Sequence, residues 1–467
     1  MTAEGNRSSR AARATPGGAF ARVCYLDTSL RGDVGHYANT CRFIAGEFRR
    51  RGFGLDAYGH RGLAPALQQE LGVAPFFRHA AYDNIFAHTA SAALHRADYA
   101  LGSASFRQDL RSLWRRGPYG LVYVNSILPA QLAGIASWLD SFPPGAAPSV
   151  AVEFGAPTGA GISGKPRRGS LHWRELLPLW SEAARLLGGG TERLLLFTFD
   201  PAATKDYAAL LGRPVETMPA VHRGPASTRL RGRSDGKITV AFLGHQRTVK
   251  GYHLVPEIAR LLESGRVPVR LLVHNGDASD DPVSRELRAM AAANPDLTFE
   301  HRPAGGASWQ DLLDRSDLIV LPYEPARYRA SYSAVAVEAA SAAIPLVVPT
   351  DTTMETLTRT CRTGALTFRD WNAPSVADAV ARAVAEFENQ AEQAVAGAEN
   401  WRKANGAEHF VDRLLELVPP RTEGLAMLPA AAGERPANLA LDAIFAANAA
   451  AVSGLRAGLN AWRRFRS

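Results

Sequence analysis

The chain has 467 residues, 46% of them hydrophobic and 21% charged, a composition that excludes a disordered or fibrous chain and a length that suits about three domains. Its 53 Lys and Arg against 45 Asp and Glu leave a formal charge of +8, spread along the sequence, which suits a polyanionic small ligand such as a nucleotide diphosphate and does not indicate nucleic acid. Three cysteines (Cys24, Cys41, Cys361) without a CxxC pair support neither a disulfide framework nor a zinc site, and no apolar run reaches the roughly 18 residues of a spanning helix.

In chain order, residues 1–20 carry Arg7, Arg10 and Arg13 among small residues with no apolar segment; they read as a disordered leader, not a secretory signal. Residues 21–222 alternate short β-rich runs with helical stretches, the signature of βα units around a parallel sheet. The predicted strands are Val23–Leu26, Leu55–Tyr58, Leu121–Val124, Val150–Val152 and Leu194–Phe197, with helices over 36–51, Ala130–Leu139 and Leu171–Leu187. Arg213–Gly236, rich in Pro and Gly, reads as an interdomain linker.

A second block, 223–420, repeats the pattern with strands Ile238–Leu243, Val269–Val273, Leu297–Phe299, Leu318–Leu321 and Leu346–Val348. Its helices are expected over Tyr252–Leu262, Ser284–Ala292, Trp309–Asp314, Tyr332–Ala342 and Ser375–Phe387, and Ala407–Val418 is expected to close the block. The reading is α/β, two Rossmann-like domains facing across a cleft. Residues 421–467 form an Ala-rich helical tail with Arg456, Arg463, Arg464 and Arg466 near its end; it reads as a helix packed on the domain or, secondarily, as an interfacial helix giving peripheral membrane contact.

Four stretches bear on chemistry. Gly32-Asp33-Val34-Gly35-His36-Tyr37 joins the first strand to the first helix; Gly35 lets backbone approach a ligand, and His36 is a candidate acid/base or phosphate contact, or a residue of a plain turn. Asp33, with Asn125 and Glu153 after later strands, points toward the expected cleft as an acceptor-side candidate. Gly159–Gly164 spells GxGxxG, but Lys165-Pro166-Arg167-Arg168 follows instead of an apolar helix, so a dinucleotide site is rejected in favour of a cleft loop. Asp277, Asp280 and Asp281 show no ligand set of defined geometry and read as surface solvation.

The loop Gly244-His245-Gln246-Arg247-Thr248-Val249-Lys250-Gly251 links a predicted strand to a predicted helix, where free N–H groups and two cations complement a diphosphate, unless Arg247 and Lys250 merely sit in solvent. In Ser331-Tyr332-Ser333-Ala334-Val335-Ala336-Val337-Glu338, Ser331, Ser333 and Ala334 fall at a helix start suited to phosphate oxygens. Glu338 lies in an otherwise small, apolar helix, so it is expected to face a cleft and bind a polyhydroxylated ligand.

These residues resemble the nucleotide-sugar-dependent glycosyltransferases of GT-B fold, in particular glycosyltransferase family 4, sharply over 238–349 and in layout over 22–418. The family's Arg and Lys-Gly are matched by Arg247 and Lys250-Gly251, although its Arg commonly stands two positions earlier, at His245. Its later ribose-binding Glu is matched by Glu338, while its earlier Glu, near the transferred sugar, is replaced by Ala330. The resemblance implies a metal-independent hexosyltransferase that uses no cofactor beyond a nucleotide-diphosphate sugar co-substrate, acting with retention on a glycan or lipid-linked acceptor in cytoplasmic polysaccharide biosynthesis. Arg247, Lys250 and His36 would then be catalytic. A nucleotide-sugar epimerase and a catalytically silent nucleotide-sugar-binding or scaffolding protein are the alternatives, the latter motivated by Ala330 and His245.

Overall fold

The computed structural model describes residues 22–33, 36–81, 92–117, 119–143, 146–155, 171–188, 191–224, 236–244, 247–276 and 280–419. The expected leader, the GxGxxG stretch and the C-terminal tail lie outside them. Among the described residues no helix is long and apolar enough to cross a membrane.

The first sheet contains β1 (Arg22–Leu26), β2 (Gly54–His60), β3 (Val73–Phe77), β4 (Leu121–Ile127), β5 (Ser149–Phe154), β6 (Leu194–Thr198) and β7 (Glu216–Thr217). It runs β3-β2-β1-β4-β5-β6-β7, parallel throughout. The second contains β8 (Ile238–Phe242), β9 (Val269–Asn275), β10 (Leu297–His301), β11 (Leu318–Val320), β12 (Leu346–Pro349) and β13 (Ala365–Phe368), in the parallel order β10-β9-β8-β11-β12-β13. Central strands such as β4, β5 and β11 are buried along their whole length, as continuous apolar runs covered by helices on both faces require.

The chain order reverses between β1 and β4 and again between β8 and β11. At such switch points the loops after the two central strands part and leave a crevice, which is where a doubly wound sheet binds ligands. Every predicted strand is present. The strands not foreseen are β3, whose Pro75 an edge position tolerates, the two-residue β7, and the half-buried β13.

One expectation is corrected. The helix Ala407–Leu417 does not close the second block on its own sheet: Phe410, Val411 and Leu414 pack into the first domain's core, with the Phe410 ring 5.7 Å from Phe197 and 6.0 Å from Tyr123. Arg51 fixes it with a 2.7 Å bond to Asp412. The stretch expected as an interdomain linker does join the two domains; it contributes β7 and then Met218–Gly224, in which Val221 packs in the first domain's core and His222 is buried between Thr40 and Tyr332. The Ala220 N–H donates to Asn405 Oδ1 (2.9 Å) and the Gly224 N–H to Ser341 Oγ (2.7 Å).

The acidic loop has a local purpose. Asp281 caps the helix Pro282–Ala293, accepting from the Ser284 N–H (3.0 Å) and hydroxyl (2.6 Å), while Asp280 pairs with Arg285 and Arg288. Asp281→Ala is expected to cost about 1 kcal/mol in urea unfolding, the usual loss of an N-cap, without affecting ligand binding in the cleft.

Candidate functional site

The carboxyl ends of the two sheets face each other, and contacts already span the gap. Arg329 donates to Asp206 at 3.0 Å, His222 Nδ1 lies 3.0 Å from Tyr332 Oη, and the Asp33 carboxylate abuts Gly305, where a Cβ would overlap it.

After β8 the chain turns at Gly244, whose φ of +116° favours glycine, and His245 and Gln246 lie outside the described residues. Arg247 then enters a 3-10 turn, Thr248–Lys250, that ends at Gly251 with φ +70°. A Cβ on Gly251 would overlap the Pro322 carbonyl, so glycine both makes the turn and lets the loop lie on the end of β11. The Lys250 Nζ sits 5.2 Å from the Tyr323 ring centroid, a cation–π contact.

Among the described residues neither Lys250 nor Arg247 has a carboxylate partner. Crowding by protein in the cleft lowers the Lys250 pKa; Tyr328 opposes the shift and the Arg247 charge adds to it. Such cations favour an anion that neutralises them.

The helix Ala334–Ser341 starts beside this loop: a Cβ on Gly244 would stand 3.6 Å from Lys250 Nζ and 3.7 Å from Val335 Cγ2. Ser333 Oγ is committed to capping, accepting from the Ala336 N–H at 3.3 Å, which leaves the amides of Ala334 and Val335 without a partner among the described residues. Ser331 is buried, and its carbonyl accepts from Thr353 Oγ1 at 2.7 Å. Ala330 is also buried.

Glu338, one helical turn further, is 3% exposed. Its Oε2 accepts from Trp309 Nε1 at 2.7 Å, and the Asn39 carboxamide reaches the same carboxylate from the first domain. Burial raises its pKa to about 7, against the lowering effect of those two donors. Glu338 therefore stands where the two domains meet, with more polar company than its apolar helix suggested.

His36 is the N-cap of the helix Tyr37–Arg50 and is exposed in the cleft. Crowding by protein, with the positive charge of Lys250 adding to it, lowers its pKa to about 4, which keeps the imidazole neutral. Asp33 is held by Arg42 Nη1 at 2.8 Å. Gly35 lies outside the described residues. The structure thus brings Lys250, Gly244 and the start of the Ala334–Ser341 helix together, with Arg247 in the same loop and His36 exposed on the first domain, while Glu338, expected to face the cleft, is buried at the domain junction.

Asn125 and Glu153 are placed differently from expectation. They are 1% and 4% exposed and form a buried floor instead of an open acceptor wall. Asn125 Nδ2 donates to Asp27 Oδ2 (2.6 Å) and Tyr25 Oη (3.3 Å), and the Tyr123 hydroxyl donates to Glu153 (2.5 Å). Burial raises the pKa of Asp27 to about 7 and of Glu153 to about 8, with the charge of Asp27 adding to the latter.

Sequence reasoning missed Asp27, Asn39, His222 and Trp309. Asp27 carried a signal, a carboxylate directly after an apolar strand; Trp309 and His222 acquire their places only through tertiary packing.

No protein-family model matches the sequence, and comparison with curated proteins finds no relative. Solved structures do match. Sucrose-phosphate synthase from Thermosynechococcus elongatus aligns with a TM-score of 0.58 at 12% identity, over 85% of this chain and 98% of that one. HepE from Anabaena in complex with UDP and glucose gives 0.55 at 14%, over 84% and 98%. A putative UDP-N-acetylglucosamine 2-epimerase from Listeria monocytogenes gives 0.54 at 12%, over 86% and 96%. The shared architecture of two parallel-sheet domains, met at these levels of overlap, shows that this chain has the GT-B fold.

Proposed function

We propose that the protein is a glycosyltransferase that takes a sugar from a nucleotide-diphosphate donor and passes it to an acceptor hydroxyl. One observation carries the reading: Lys250, a cation without a carboxylate partner among the described residues, stands beside the start of the Ala334–Ser341 helix, with Arg247 three residues before it in the same loop and the buried Glu338 one turn along the helix. That is a place for a diphosphate next to a place for a ribose. HepE, of the same fold, is solved with UDP and with UDP-glucose.

In this mechanism Arg247, Lys250 and the amides of Ala334 and Val335 stabilise the charge that develops on the diphosphate as its bond to the anomeric carbon breaks. The acceptor oxygen forms the new bond on the face that the diphosphate leaves, as retention in a single displacement requires, and its proton passes to the neutral His36 imidazole. Glu338 binds the ribose. No residue of this set calls for a metal or further cofactor. The acceptor is a glycan or lipid-linked hydroxyl in cytoplasmic polysaccharide assembly, and transfer proceeds with retention, as the family resemblance implies. Ala330, in place of an acid near the transferred sugar, favours one second reading, a nucleotide-sugar-binding protein without turnover.

The test is a calorimetric and thermal-shift screen against UDP, GDP, ADP, TDP and their sugars, followed by assay of free nucleotide. Selective binding with nucleotide release in the presence of acceptor is expected. Binding without release supports the silent reading, an altered sugar on an intact donor an epimerase, and no binding removes the donor-site assignment.

A further inference from the structure

A chain of hydrogen bonds crosses from one domain to the other beneath the cleft, and its central member is a linker residue with no role so far. Thr40 Oγ1, in the first turn of the helix Tyr37–Arg50, lies 2.9 Å from the His36 carbonyl and 3.1 Å from His222 Nε2. On the other side of the ring, His222 Nδ1 lies 3.0 Å from the Tyr332 hydroxyl, in the loop that leads into the donor helix.

The directions are fixed by counting protons. The Thr40 hydroxyl has one hydrogen, and the carbonyl of His36 can only accept, so Thr40 donates to it and must accept from His222 Nε2–H. The neutral ring then carries no proton on Nδ1, which accepts from the Tyr332 hydroxyl. The chain reads Tyr332 to His222 to Thr40 to His36, whose carbonyl also accepts from the Thr40 N–H at 2.8 Å.

The surroundings hold it rigid. His222 is 1% exposed, with the rings of Phe43, His36 and Tyr332 at 6.1, 6.2 and 5.6 Å, and Phe199 packs 5.3 Å from Tyr332. Two residues on, Gly224 lies so close to the Glu338 carbonyl that a Cβ there would overlap it, so the linker is seated on the donor helix itself.

We propose that His222 is a positioning residue that sets the first domain's cleft loop, at His36, in register with the second domain's donor loop, at Tyr332. Its effect on turnover rests on the donor-site reading above; the coupling of the two domains does not.

Hydrogen–deuterium exchange of the full chain separates the two. Tyr332→Phe, made in the second domain, is expected to speed exchange about three- to tenfold at Thr40 and Cys41 in the first, and Thr40→Val to do the same at Ala336 and Val337. The double variant should add little to either single one, because both break the same chain. His222→Phe should reproduce both effects, and His222→Gln, whose carboxamide offers one acceptor and one donor, should partly restore protection.

With the nucleotide found by screening, His222→Phe is expected to lower kcat about tenfold or more with the nucleotide's Kd within about twofold of the parent's. Exchange changes confined to the mutated domain, or fully additive ones, would overturn the proposal even if nucleotide binds. If the parent binds no nucleotide, the donor-site reading falls while the exchange result still decides the coupling.

Discussion

Lys250→Ala is expected to weaken binding of the nucleotide diphosphate about 10- to 100-fold while leaving the ligand-free protein as stable as the parent, or slightly more so. The two halves have one cause. The ammonium has no carboxylate partner among the described residues, and its pKa is lowered by crowding and by Arg247, so relief of that crowding offsets the cation–π contact with Tyr323 that the apo protein loses. A bound diphosphate, by contrast, gains a charge-assisted contact in a cleft where water screens it poorly. A nucleotide at about 100 times Kd stabilises the parent by roughly 2.7 kcal/mol, and at the same concentration that increment should fall to about 1.4 kcal/mol in the variant for a 10-fold loss and to about 0.4 kcal/mol for a 100-fold loss. Arg247→Ala should have the smaller effect, since its side chain is exposed and better screened. Calorimetry and thermal shift check both. A variant that binds as the parent does would move the diphosphate away from this loop, and one that loses apo stability would show Lys250 to be structural.

The fold was legible because its strands are buried on both faces and read as continuous apolar runs, as in β4 and β8. What the runs do not carry is where helices land. Nothing local distinguishes Ala407–Leu417 from a helix of the second domain, yet Phe410 finds its partners in Tyr123 and Phe197, some 200 to 290 residues away in sequence. The site divides the same way. Gly244, Lys250 and Gly251 stand in one loop after one strand, and their chemistry is written at adjacent positions. The partners of Glu338 are not: Trp309 comes from a helix before β11, and Asn39 from the other domain. Asn125 and Glu153 failed as open acceptor groups for a related reason. A polar residue at a strand end signals the switch point, but whether it lines the crevice or its floor depends on what covers it, here Asp27, Tyr25 and Tyr123.

The same floor leads to a second large effect, a fall in the ligand-free protein's stability between about pH 6.5 and pH 8. Asp27 and Glu338 have native pKa values raised by burial to about 7, and Glu153 to about 8. Where the native state holds a proton that the unfolded chain has released, stability declines as pH rises, and for these groups that window runs from the ordinary carboxylate range up to the native value. The buried histidines act oppositely: His222 and His274 are pushed below their ordinary value by burial, so each adds stability as pH rises toward about 6.5 and nothing beyond. Below pH 6.5 the two sets offset one another. Above it only the carboxylates remain, and Glu153, with the highest native value, dominates to the end of the window.

One retained proton corresponds to about 1.4 kcal/mol per pH unit, so the loss between pH 6.5 and pH 8 is expected to be on the order of 1–2 kcal/mol from Glu153. Glu153→Gln keeps an acceptor for the Tyr123 hydroxyl, 2.5 Å away, and removes the charge. It should flatten the curve and leave the variant more stable than the parent at pH 8, read as the urea midpoint at matched pH. A parent curve that rises or stays level over that interval would mean that water or a neighbouring cation compensates the buried carboxylates, and the floor would then be hydrated ground open to an acceptor after all.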